Sequence, residues 1–106
     1  MKIQITARHF HASQDLHNNL YDSLEKLGKF NDSMTSAHVI LDAEKSGVRR
    51  AEAVIRVLDK SLHAQAEDGS MGRAIEAMLD KVERQLKKEN EKLKIHKSVP
   101  AAALAP

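Results

Sequence analysis

The stretch Ala51-Glu52-Ala53-Val54-Ile55-Arg56-Val57-Leu58-Asp59-Lys60-Ser61-Leu62-His63-Ala64-Gln65-Ala66 alternates twice over. Ala51, Ala53, Ile55 and Val57 share one face of an extended chain, as do Leu62, Ala64 and Ala66, with Asp59-Lys60 as a short link. A period of two is that of a half-buried strand, so the stretch predicts a pair of antiparallel strands. Upstream, Ala37, Val39, Leu41 and Ala43 keep the same period, and Ser46-Gly47 breaks the chain before the next run. Three consecutive strands make a meander. Six of its eleven inward residues are Ala, which leaves room for helices to lie close on that face. The opposite face is mixed: His38, Asp42, Glu44, Arg50, Glu52, Arg56, His63 and Glu67 are polar, whereas Ile40, Val54 and Leu58 are not. Isolated apolar residues on a wet face are ordinary.

Beyond the meander the period changes to that of a helix. Met71, Ile75, Met78, Val82 and Leu86 recur at spacings of four, three, four and four, with Leu79 beside them. Ser70 is a suitable cap, and a helix from Met71 to about Leu93 is predicted. From His96 the pattern stops, so residues 96–106 read as a flexible tail. Before the meander, Lys2–Arg8 alternates as a further strand with Ile3, Ile5 and Ala7 inward. Ser13 then caps a helix whose stripe is Leu16, Leu20, Leu24 and Leu27, with Asp15 in its first turn and Gly28 as its stop. The predicted order is β-α-β-β-β-α. It defines an α+β fold, a four-stranded sheet with two helices on one face, as a single domain over residues 1–95.

The 106 residues suffice for one core, and the absence of Cys excludes a disulfide scaffold, a thiolate metal site and a cysteine nucleophile. No apolar run reaches the ~18 residues of a membrane span, and the N-terminal residues mix polar and apolar too finely for a signal peptide. A cytoplasmic protein with no membrane partner is expected. Catalytic signals are missing: there is no Gly-rich phosphate loop, no Gly-x-Ser-x-Gly and no nucleophile–base pair, so the chain is expected not to be an enzyme and to need no cofactor. The nearest His pair, His9 and His11, has no carboxylate at a ligand spacing, so no metal site is expected. His38 and His63 fall on the open sheet face, where cross-strand contact between them is conceivable from the pattern.

Charge is where the chain is uneven. Residues 1–69 carry nine basic and ten acidic side chains, and residues 70–106 carry eight and five. On a wheel of ~100° per residue, Arg73, Lys81, Arg84, Lys88 and Lys92 fall in one sector of the second helix, interrupted by Glu91, with Lys87 and Asp80 at its back and Glu76 and Glu83 on the other flank. Lys26 and Lys29, which end the first helix, would extend this stripe if the helices are neighbours. Such a row suits phosphates, whose condensed counterions it replaces. Charge alone favours a solvated helix face, with i,i+4 pairs such as Glu83–Lys87, over a phosphate site. With Phe10, Tyr21 and Phe30 the only aromatics, a surface that stacks several unpaired bases is not expected.

The second helix carries more than charge. Ser70-Met71-Gly72-Arg73-Ala74-Ile75 followed by Asp80-Lys81-Val82-Glu83-Arg84-Gln85-Leu86 resembles the ribosome hibernation-promoting factors, also called ribosome-associated inhibitor A or sigma-54 modulation proteins. In that family the helix opens Asp-Met-Tyr-x-Ala-Ile and continues Asp-Lys-Leu-x-Arg-Gln-Leu. Leu24-Glu25-Lys26-Leu27-Gly28-Lys29-Phe30 is similar to the end of its first helix, and the likeness spans about residues 1–95. Ser70 and Gly72 depart from the usual Asp and Tyr. The resemblance implies a fold like that of double-stranded-RNA-binding domains and binding to the small ribosomal subunit in the channel for messenger and transfer RNA. It implies that translation is silenced in stress or stationary phase, with Lys81, Arg84, Lys87 and Lys88 contacting ribosomal RNA, helped by Lys26, Lys29, Arg73 and Lys92. A monomer off the ribosome and a helper protein for ribosome pairing are also expected, the short tail with no acidic residue favouring pairing. Two other readings stand beside it: an interaction adaptor using Ile40, Val54 and Leu58 on the sheet face, and a generic double-stranded-RNA binder.

Overall fold

A computed structural model describes the backbone of residues 1–103 and the side chains of residues 1–91. The elements are β1 (Lys2–Arg8), α1 (Gln14–Phe30), β2 (Met34–Asp42), β3 (Arg49–Val57), β4 (Lys60–Asp68) and α2 (Met71–Ala103). The strands form one sheet in the order β1-β2-β3-β4, with β1 parallel to β2 and the remaining pairs antiparallel. The parallel pair follows from connectivity. A helix returns the chain from the end of β1 to the start of β2, whereas the short β2–β3 and β3–β4 turns reverse it.

Register puts the predicted inward residues on one face. Ile5 pairs with Val39, Val39 with Ala53, and Ala53 with Ala64. The helices cover that face as two halves, α1 against β1 and β2 and α2 against β3 and β4. Leu20 and Leu24 of α1 and Ala74, Ile75, Met78, Val82 and Leu86 of α2 are buried on it. Burying a side chain the size of Leu or Val contributes roughly 1.5–3 kcal/mol, so these two stripes are the main adhesive of the layers.

The second helix also reaches past the sheet to its edge. Lys81 Nζ donates to the Gln65 carbonyl at 2.6 Å and Gln85 Nε2 to the His63 carbonyl at 2.7 Å, while Lys60 of β4 pairs with Glu89 at 3.4 Å. Residues 81, 85 and 89 are one turn apart, so a single line of α2 runs along β4.

Three local expectations need correction. The β3–β4 link is Leu58-Asp59, not Asp59-Lys60, because Val57 pairs directly with Lys60 and Leu58 takes the positive φ of 51° that a two-residue hairpin demands. Helix α1 does not stop at Gly28 but runs to Phe30, where Asn31 ends it. Gly28 faces the Met1 side chain, where a Cβ would come within 2.8 Å of Met1 Cε. Its smallness thus serves a close approach rather than a left-handed cap. Finally, the α2 backbone stays helical to Ala103, ten residues beyond Leu93. The flexible tail expected over residues 96–106 lies outside the residues whose side chains are described, and residues 104–106 lie outside the described backbone.

The caps divide similarly. Ser13 Oγ accepts from Leu16 N–H at 3.1 Å, as predicted. At α2, Ser70 contributes its carbonyl to Ala74 N–H at 3.0 Å, and Asp68 Oδ1 accepts from Ser70 N–H at 3.0 Å. The Gly28→Ala variant is expected to be about 0.5 kcal/mol more stable, since the mobile end of Met1 yields and a helical Gly is removed. A rise in the urea midpoint at unchanged slope is the readout.

Candidate nucleic-acid interface

All the basic residues singled out on the described part of the helices, Lys26, Lys29, Arg73, Lys81, Arg84, Lys87 and Lys88, are exposed. The Lys92 side chain lies outside the described residues. The fold separates this set into two. Lys81 leans over the β4 edge onto Gln65, which identifies the sector holding Arg84 and Lys88 as the flank of α2 turned away from α1. The opposite flank faces α1 across a cleft of about 690 Å³ lined by Ser23, Lys26, Leu27 and Phe30 of α1, Asn31, and Leu79, Glu83, Lys87, Asn90 and Glu91 of α2.

Lys26 therefore does not extend the stripe of Arg73, Arg84 and Lys88. It meets Lys87 across the cleft instead, together with Glu83 and Glu91. The helices are neighbours, as the sequence reading required, but they adjoin through the acidic flank of α2. Lys81 is likewise not a free cation, since its ammonium is tied to a backbone carbonyl. Among the described residues Glu83 and Lys87, four apart on the cleft flank, form no ion pair.

One residue at the cleft was missed by sequence reasoning. Asn31 is the buried polar side chain of the core. Its Nδ2 donates to the Leu27 carbonyl at 2.7 Å, satisfying an orphan group at the end of α1, and its Oδ1 accepts from Asn90 Nδ2 of α2. Its carbonyl also accepts from Met34 N–H at 2.9 Å. Asn31 thus joins α1, α2 and the start of β2. An Asn after a helical Phe is the local signal, but its α2 partner is 59 residues away and invisible to pattern.

The sheet register disposes of another expectation. His38 pairs with Val54 and Val54 with His63, so the two His are separated by a whole strand. His38 Nε2 instead meets Thr6 Oγ1 at 3.1 Å. His9, for which no carboxylate was expected, sits 2.9 Å from Asp42 through Nδ1, because parallel pairing aligns the ends of β1 and β2. His9, Asp42 and Glu44 bring ligand-type atoms within 4.8 Å of one another. Asp42 Oδ1 already accepts from His9 and from Glu44 N–H at 2.9 Å, and this fixes the corner. The His9 hydrogen bond, then the Glu44 N–H and the nearby charges of His9 and Arg8, hold the Asp42 carboxyl below its ordinary 3.8 against the opposing cost of desolvation.

With the geometry established, comparison with known proteins is direct. Residues 3–94 match the family model described as sigma 54 modulation protein / S30EA ribosomal protein. Two relatives named ribosome hibernation promoting factor are similar, from Pseudomonas putida at 33% identity over 87% of this chain and 89% of theirs, and from Escherichia coli K12 at 31% over 91% and 100%. The chain belongs to the sigma 54 modulation protein / S30EA ribosomal protein family. Its fold is also that of a ribosomal subunit interface protein from Coxiella burnetii, with a TM-score of 0.78 at 23% identity, covering 86% of this chain and 99% of that one. The N-terminal domain of Protein Y from Thermus thermophilus gives 0.73 at 22%, covering 83% and 98%. The family resemblance and the α+β expectation are borne out, and the expectation that the chain is not an enzyme agrees with membership of this family. Among the described residues no helix is long and apolar enough to cross a membrane.

Two outcomes test the local chemistry. Asn31→Ala should cost about 1–3 kcal/mol, because it strands the Leu27 carbonyl and Asn90 together, as read from denaturant unfolding. Because the folded pKa of Asp42 lies below 3.8, ionised Asp42 contributes stability above that value and loses it as pH falls through the folded pKa. Thermal melts from about pH 6 down to about pH 2 should therefore show a shallower acid limb in Asp42→Asn than in the parent.

Proposed function

We propose that this chain binds the small ribosomal subunit through the exposed basic flank of α2 and silences translation by occupying the channel for messenger and transfer RNA. The observation that carries the proposal is the exposure of Arg73, Arg84 and Lys88 on α2, outside the lining of the cleft that faces α1. Solvated cations in line on a rigid helix match the spacing of a phosphate backbone and gain from counterion release. The names of the relatives, ribosome hibernation promoting factors, support the same reading. In it Arg73, Arg84 and Lys88 are the principal ribosomal RNA contacts, Lys26 and Lys87 form a second group on the cleft side, Lys29 adds charge at the end of α1, and Lys81 helps to fix α2 on the sheet as well as adding charge. Lys92 continues the stripe by sequence position. The working location is the cytoplasm, residues 1–95 form the binding domain, and action is in stress or stationary phase. Silenced ribosomes are paired with the aid of a helper protein.

Charge reversal tests this directly. Arg84→Glu with Lys88→Glu should abolish co-sedimentation with small subunits while changing stability by no more than about 0.5 kcal/mol, since both heads are solvated. The parent's log K should fall with log salt at a slope near −4 to −5 if about five phosphates are neutralised. Glu76→Lys, on the acidic flank, should bind as well as the parent or slightly better. Undiminished binding by the folded double reversal would remove this flank from the interface and favour the open sheet face with Ile40 and Val54; Leu58, expected on that face, lies in the β3–β4 turn.

A further inference from the structure

The cleft between α1 and α2 has a composition unlike the basic flank. Its floor is apolar, made by Leu27 and Leu79, and its lining includes two lysines from different helices, Lys26 and Lys87, balanced by Glu83 and Glu91. Phe30 belongs to the same lining yet is 83% exposed, the most exposed of the large hydrophobic side chains among the described residues. Leaving a phenyl ring in water at a helix end does nothing for the core, which Phe30 does not join. A neutral cleft of this kind suits neither a continuous run of phosphates nor the ridged surface of a duplex. It offers one flat apolar group the face of Phe30, with the lysines of two different helices as the cations available to a single phosphate.

We propose that the cleft holds one unpaired nucleotide of a single-stranded RNA, its base stacked on Phe30 and its phosphate between Lys26 and Lys87. This rests on the RNA-binding reading above and adds a second, chemically different contact to it. A base offers a π-face to Phe30 whatever its identity, and stacking of this type tolerates all four bases. Glu83 and Glu91 in the lining are acceptors for an exocyclic amino group where the base carries one, without being required for stacking, and the Asn90 amide is engaged with Asn31. A volume of about 690 Å³ lies within the range of sites that enclose a small ligand. The contact requires a nucleotide free of its helix, because a paired base presents only its edge.

The chain has no Trp, so Phe30→Trp in the full-length protein places a single indole at the cleft. Its emission should be quenched on titration with an unstructured RNA hexamer of mixed sequence, and not with a blunt RNA duplex of equal phosphate concentration. Phe30→Ala should weaken hexamer binding about tenfold, one stacked base's worth, and Phe30→Tyr should restore it. Lys26→Ala with Lys87→Ala should weaken it and reduce the salt slope by about one to two. Emission unchanged by the hexamer, or equally quenched by the duplex, would overturn the nucleotide site. Co-sedimentation of the same variants with small subunits separates the two proposals. A Phe30→Trp protein that pellets with subunits without change in emission refutes the cleft and leaves subunit binding standing. One that binds the hexamer but never pellets upholds the cleft and refutes subunit binding.

Discussion

Close approach of α2 to an alanine-lined strand pair is the constraint on which the rest of this molecule depends. Ala51, Ala53, Ala64 and Ala66 are buried on β3 and β4, and Ala74 is buried on the helix that covers them. With so little side chain between the layers, α2 lies low enough for Lys81 and Gln85 to touch the backbone of β4. A larger residue at any of these Ala positions would overfill a close-packed layer and push the helix outward. Rotation of α2 about its own axis is set by the same contacts, and that rotation determines which charges face away from the sheet and which face α1.

From this follows the division of the molecule's charged surface into two chemistries. One flank of α2 presents Arg84 and Lys88 to solvent with no acidic partner in the cleft opposing them, and the other brings Lys87 beside Glu83, Glu91 and Lys26. Asn31 fixes the separation between the helices, since it bonds to the last turn of α1 and to Asn90 of α2 at once. The cleft therefore has a satisfied polar anchor in its lining.

How much of this was legible in the sequence depends on the range of the interaction. The strands were read correctly because alternation is local and Ala, Val, Leu and Ile recur every second residue. Ser13 was found because a cap and the N–H that donates to it are three residues apart. Gly28 was misread because its contact is Met1, at the far end of the chain, and nothing adjacent marks it. The wheel gave no reference direction, so Lys26 was joined to the wrong flank, and Glu91, read within the basic sector, lines the cleft instead. His9–Asp42 and Asn31–Asn90 depend on strand order and helix placement, 33 and 59 residues apart, and no local pattern encodes either. The family motif on α2 supplied the lineage that charge could not, since a basic helix face is common to many solvated helices.

The line of Lys81, Gln85 and Glu89 along β4 has a consequence for the chain in crowded company. β4 is an outer strand, and an outer strand with vacant carbonyls is a template on which another extended chain can add itself. Here the carbonyls of His63 and Gln65 are already occupied by side chains, and Lys60 is held by Glu89. A recruit would have to break these bonds before making its own. Helix α2 thus acts as a selvage on that side of the sheet, resisting polymerisation at a border that would otherwise invite it.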